Sequence, residues 1–245
     1  MKQTELIMGM PITVEILDTT TEQPIRQTFD YFKDIDKRYS TYKKDSEISR
    51  INAGLPEDEW SEEMREVLKL CEQTKQQTNG FFNIEHDGQF DPSGLVKGWA
   101  INNAAQHLVD QGFSDFYIEA GGDIQAYGSN NSKPWLVGIR NPFNLQEIVK
   151  SLAITNRGVA TSGTYVRGQH IYNPHSTKDK ITGIKSLTVI GPNIYEADRF
   201  ATAAFAMGLD GINFIEKLDG FEAYMIDSRQ TATLTSGLKG YLANA

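Results

Sequence analysis

Near residue 113 the spacing of apolar residues changes from the helical to the strand period, and that switch limits the folds open to this chain. Before it, Ile25, Phe29, Phe32 and Ile35 mark a helix over 21–38. Met64, Val67, Leu68 and Cys71 mark a second over 61–79, closed by Gly80 where a helix C-terminus favours glycine. Asp91-Pro92-Ser93 opens a third, with Asp able to cap and Pro able to take the first helical position. Its apolar residues Leu95, Val96, Trp99, Ala100, Ala104, Leu108 and Val109 run on to Gly112. Residues 8–17 alternate as a strand with Met10, Ile12, Val14 and Ile16 on one face, 39–45 is a polar loop, and 81–84 is a short apolar run. After the switch, short strands are expected at 116–119, 124–127, 135–140, 149–155 and 158–161, a sheet of largely hairpin-linked strands. A further strand at 187–190 is broken by Gly191-Pro192, and a helix over 194–207 is closed by Gly208. The order lacks the alternation of a doubly wound sheet. The expected class is therefore α+β, with mixed, largely antiparallel sheet layers and packed helices in one two-lobed domain over 1–245.

Charge and cysteine content narrow the partners. The chain has 245 residues and a net charge of −8, with no basic cluster to follow a phosphate backbone, so a divalent cation suits its surface better than nucleic acid. Cys71 is the single cysteine; it excludes a disulfide framework and belongs to an apolar helix face. The four histidines, His86, His107, His170 and His175, lack zinc-site spacing, and no G-x-S-x-G elbow is present. No segment has the length and apolarity of a signal peptide or a membrane span. The expected location is cytoplasmic, or exported if residue 1 is not the natural start.

Four segments carry candidate chemistry. In 193–208, helical spacing places Asp198, Ala201, Thr202 and Phe205 on one face, so a carboxylate and a hydroxyl sit among residues that seek burial. An oxygen-seeking cation such as Mg²⁺ would satisfy Asp198 and Thr202 together; alternatively, Asp198 is exposed or pairs with Arg199 or another base. In 91–98, a glycine-containing helix start with Lys97 one turn in suits a phosphate, although a well-capped helix with an exposed lysine has the same pattern. Glu119-Ala120-Gly121-Gly122-Asp123 reads as a tight turn or as bare backbone beside a cofactor. The fourth is Thr161-Ser162-Gly163 followed by His170-Ile171-Tyr172-Asn173-Pro174-His175, where His170 has the chemistry of a general base or a phosphate donor, while the other three histidines read as surface or core residues.

Taken in order, these segments resemble the ApbE family. The matching stretches are Met8-Gly9-Met10, Ser40-Thr41-Tyr42, Ser46 to Asn52, Gly80-Phe81-Phe82-Asn83, Asp91 to Ala100, Gly121-Gly122-Asp123-Ile124, Ala160-Thr161-Ser162-Gly163, His170 to Pro174, and Glu196 to Thr202. Each is weak alone; the ordered series covers nearly the whole chain.

The resemblance implies a two-lobed fold with an FAD cleft, lined by Met8, Tyr42, Phe81, Phe82, Asn83, Asp91, Lys97, His170 and Ile171. It implies Asp198 and Thr202 as Mg²⁺ ligands, with the backbone carbonyl of Gly94 as a third. Ala201 departs from members with a second aspartate there, Asn83 stands where many have aspartate, and Lys97 where some have glutamate. The implied reaction moves the FMN half of FAD onto a threonine hydroxyl of an acceptor flavoprotein and releases AMP. His170 is the candidate general base and Asp198 the alternative. The same site using water would be an Mg²⁺-dependent FAD pyrophosphatase, and without chemistry it would be an FAD-binding carrier.

Overall fold

A computed structural model describes residues 1–164, 171–176 and 181–243. The first hairpin joins β1 (Lys2–Ile7) to β2 (Met10–Ile16) through Met8 and Gly9, both at positive φ, the two-residue turn whose twist suits a hairpin. Three helices follow: α1 (Gln23–Tyr39), α2 (Glu47–Asn52) and α3 (Glu62–Gln77). Ser46 and Ser61 cap the latter two, accepting from the amides of Ser49 and Met64. A short hairpin, β3 (Glu85–His86) and β4 (Gln89–Phe90), leads into α4 (Ser93–Asp110). Pro92 is the residue before this helix and not its first residue, one position earlier than the sequence pattern places it. Asp91 Oδ1 accepts from the Ser93 amide instead of capping deeper.

The remaining elements are β5 (Phe116–Ala120), β6 (Asp123–Tyr127), β7 (Trp135–Asn141), β8 (Asn144–Ile154), β9 (Arg157–Gly163), β10 (Ile184–Gly191), α5 (Ile194–Ala206), α6 (Gly211–Ile215), β11 (Glu222–Asp227) and β12 (Ala232–Leu234). Eight strands form one antiparallel sheet in the order β1-β2-β5-β6-β9-β10-β11-β12. The α+β class and antiparallel pairing agree with the sequence pattern, but a single sheet over 115–187 does not. Strands β7 and β8 leave the main sheet as a separate ribbon, and β6 pairs directly with β9.

The reason is that the sheet is apolar on both faces. On one, Ile12, Val14, Ile16, Phe116, Ile118, Ala160, Leu187 and Val189 pack under α1, α4 and α5. On the other, Ala126, Val159, Ile190, Tyr224 and Ile226 are covered by Trp135, Val137, Ile139, Leu152 and Ile154 of the ribbon. Adjacent residues such as Val189 and Ile190 therefore face different cores, as the period of two requires.

Helix α5 is buried on almost every side; Ile194, Ala197, Asp198, Arg199, Phe200, Ala201 and Ala203 to Ala206 are all covered. Small residues permit this. At Gly158 on β9, a Cβ would stand 2.1 Å from the amide nitrogen of Ile194, where α5 begins. Asn193 Oδ1 accepts from the Glu196 amide, and buried Gln125 Oε1 accepts from that of Ile194, so side chains satisfy the helix start on both sides.

Candidate active site

The site begins where α4 and α5 touch. A Cβ on Gly98 would fall 2.6 Å from Asp198 Cβ and 2.8 Å from the Ile194 carbonyl oxygen, so only glycine allows this approach. The contact aims Asp198, 3% exposed, across the interface. Its Oδ2 accepts from the Gly98 amide at 2.8 Å. One turn along each helix, Thr202 Oγ1 donates to the Gly94 carbonyl oxygen at 3.4 Å. The helix face expected from spacing thus presents a carboxylate, a hydroxyl and a backbone carbonyl to one wall.

Asp198 is neither exposed nor paired with Arg199. That arginine turns away and ties α5 to α3, donating to Glu196 Oε2 at 2.9 Å from Nε, to Gln77 Oε1 at 2.5 Å and to Thr74 Oγ1 at 3.2 Å. Among the described residues the base facing Asp198 is Lys97, so the pairing is with a base other than Arg199; its Nζ lies 3.6 Å from Asp198 Oδ1 and in closer ion-pair contact with Asp123 Oδ2. Asp123, 1% exposed, accepts from the Thr161 amide through Oδ1 at 3.0 Å. Its Oδ2 meets the ammonium with no hydrogen bond of good geometry. Thr161 Oγ1 is in turn 2.8 Å from Thr188 Oγ1.

Lys97, Asp198, Thr202 and Thr161 open onto a cavity of about 1520 Å³ lined by both helices, the strand ends, the 81–91 segment and the ribbon. Phe81, Phe82, Asn83, Asp91, Gly94, Lys97, Ile171, Asp198 and Thr202 all line it. The 171–175 segment lies over 79–86: Tyr172 Oη donates to the carbonyls of Asn83 (3.0 Å) and Glu85 (3.1 Å), and His175 stacks edge-on with Phe81. His175 Nε2 is 2.8 Å from the Asn79 carbonyl oxygen, a structural contact and not a free base. His170 lies outside the described residues. Met8 and Tyr42 do not line the cavity. Met8 is the first residue of the β1–β2 turn and packs on the core, while Tyr42 is 96% exposed; their neighbours Gly9 and Thr41 line it instead.

Asp123 and Thr161 lie in two of the candidate segments but have no role of their own there, and the structure joins them to each other and to Lys97. The signal was a carboxylate immediately after Gly121-Gly122 at a strand start, which local rules assign to a turn. Among the described residues no group of three or more His, Cys, Asp or Glu side chains could hold a metal. The oxygens available here are of another composition: the Asp198 carboxylate, the Thr202 hydroxyl and the Gly94 carbonyl. That hard-oxygen set suits Mg²⁺, which takes few protein ligands and completes its shell with phosphate and water. Among the described residues no helix is long and apolar enough to cross a membrane.

Two helices meet over an antiparallel sheet, with a carboxylate and a lysine facing a large cleft, and comparison with known families shows that the chain belongs to the ApbE family. The family's model, described as "ApbE family", matches residues 8–88 and 84–225. The FAD:protein FMN transferase of Klebsiella pneumoniae (strain 342) is 28% identical over 146 residues, 56% of this chain and 42% of its own. This chain therefore spans less than half the length of that relative. The FAD:protein FMN transferase of Haemophilus influenzae is 24% identical over 290 residues, 89% of this chain and 84% of its own. Among solved structures, the flavin transferase ApbE from Vibrio cholerae superposes with a TM-score of 0.86 at 20% identity over 99% of both chains. The ApbE protein from Thermotoga maritima gives 0.86 at 20% identity, over 100% of this chain and 99% of its own. At that identity the two structures show the shared fold.

Proposed function

We propose that this chain transfers the FMN half of FAD to a threonine hydroxyl of an acceptor flavoprotein, with AMP as the leaving group, in an Mg²⁺-dependent reaction. The observation that carries this reading is the meeting of Lys97, Asp198, Thr202 and the Gly94 carbonyl at the start of α4, in a cavity large enough for a dinucleotide. The relatives' shared name, FAD:protein FMN transferase, supports it.

The residues divide the work by chemistry. The amides that open α4 and the Lys97 ammonium favour the diphosphate, and Phe81, Phe82 and Ile171 give apolar wall for a ring. The acceptor hydroxyl oxygen bonds to the FMN-side phosphorus while the bond from that phosphorus to the AMP phosphate oxygen breaks, and AMP leaves with that oxygen. The hydroxyl proton goes to a general base, with His170 the candidate by resemblance and Asp198 the alternative. Asp198, Thr202 and the Gly94 carbonyl would hold Mg²⁺, which when bound neutralises charge on the diphosphate.

The test is incubation with FAD, Mg²⁺ and a candidate acceptor subunit, followed by mass spectrometry of the subunit and chromatography of the flavins. An FMN-sized mass gain on a threonine, reduced at least a hundred-fold in rate by Asp198→Ala, is the expected result. Free FMN and AMP beside an unmodified acceptor would replace the transferase reading with hydrolysis, and intact FAD would replace it with a carrier.

A further inference from the structure

We infer that Asp123 is a positioning residue that draws Lys97 off Asp198, so that Asp198 keeps a negative charge for a cation. The inference rests on the cation site proposed above and concerns a residue to which that proposal gives no role.

The argument is one of charge in a confined space. Asp123, Asp198 and Lys97 have side chains only 1%, 4% and 16% exposed, so their interactions are weakly screened. Asp123 and Asp198 both contact the Lys97 ammonium. The ammonium is not shared evenly: it contacts Asp123 Oδ2 closely and stands back from Asp198 Oδ1 at 3.6 Å.

The backbone sets that asymmetry. The Thr161 amide on β9 fixes Asp123 Oδ1, and the Gly98 amide on α4 fixes Asp198 Oδ2. One oxygen of each carboxylate is held by a backbone amide, and the other contacts the lysine. Without the Asp123 charge, Lys97 would close on Asp198, and the group would become neutral where the cation has to bind.

Asparagine at 123 keeps an oxygen for the Thr161 amide and removes only the charge, so a four-protein cycle tests the idea. Binding of Mg²⁺ alone, without flavin, is measured by calorimetry on the wild type, Asp123→Asn, Lys97→Met and the double variant, with thermal melts to check folding. The expected result is at least ten-fold weaker Mg²⁺ binding in Asp123→Asn, tighter binding in Lys97→Met, and a return to within about three-fold of wild type in the double variant. Equal binding by wild type and Asp123→Asn would overturn the inference. So would a double variant as weak as Asp123→Asn, because Asp123 would then be a ligand or a fold determinant, and so would a wild type that binds no Mg²⁺. A cycle that holds in a protein that modifies no acceptor would leave the positioning role standing and remove the transferase reading instead.

Discussion

Gly98 has the strictest steric requirement in the site. Alanine is the better helix former by about 1 kcal/mol, so propensity alone would favour Gly98→Ala. Its Cβ, however, would enter the space of Asp198 Cβ and the Ile194 carbonyl, and overpacking of that kind costs about 1–3 kcal/mol. The variant is expected to unfold at lower urea concentration and to lose most FAD-dependent activity, because the carboxylate is pushed off the Gly98 amide. A variant as stable and active as wild type would show that the helices can separate at no cost. That Asp198 and Thr202 share a face of α5, and that Lys97 lies one turn into α4, was legible in the sequence because helical spacing fixes the face; the Gly94 carbonyl came only from the resemblance. Asp123 was not legible, since its partners are Thr161, on a strand 38 positions later, and a lysine on another helix. Met8 and Tyr42 lie next to residues that line the cavity: a motif gives the position of the chain, while turn geometry decides which neighbour faces the cleft.

The ribbon of β7 and β8 shows what an element adds beyond its own hydrogen bonds. Trp135, 5% exposed, packs edge-on against Tyr117 and donates from Nε1 to the Tyr127 carbonyl at 2.9 Å, fastening the ribbon to the second core. Trp135→Ala is expected to cost about 3–5 kcal/mol in denaturant unfolding, the usual range for a buried aromatic truncated to a methyl. A loss below about 1 kcal/mol would mean that the ribbon lies loosely on the sheet. The helices α1, α3, α4 and α5 and most central strands were readable within a few residues, because each buries one periodic face. Strand β1 was missed because its burial alternates without an apolar pattern: the half-buried positions before Ile7 are Gln3 and Glu5, while Leu6 is 79% exposed. That β6 skips the ribbon to pair with β9 is a tertiary choice, driven by the need to cover a second apolar face, and no local pattern records it.

At the scale of the whole molecule, the larger core governs behaviour in alkali. Burial pushes the Cys71 thiol from its ordinary 9.0 up to about 12 and the Tyr31 phenol from 10.0 to about 12. Both folded values lie above the unfolded ones. Their contribution to stability is therefore complete below about pH 9 and is lost as pH rises from there through about 12. Stability measured by urea melts is expected to fall across that window, less steeply in Cys71→Val, and iodoacetamide at pH 8 should label Cys71 only in the unfolded protein. Labelling of the native protein at the unfolded rate would mean that the helix face around Cys71 opens readily. The ribbon described above has a further consequence. Along β7 the residues alternate, with Trp135, Val137 and Ile139 on the core and Leu136, Gly138 and Arg140 toward the cleft. Mutational drift in the cleft-facing set leaves the core-facing set intact, so one side of this strand can diversify between lineages while the other conserves the scaffold.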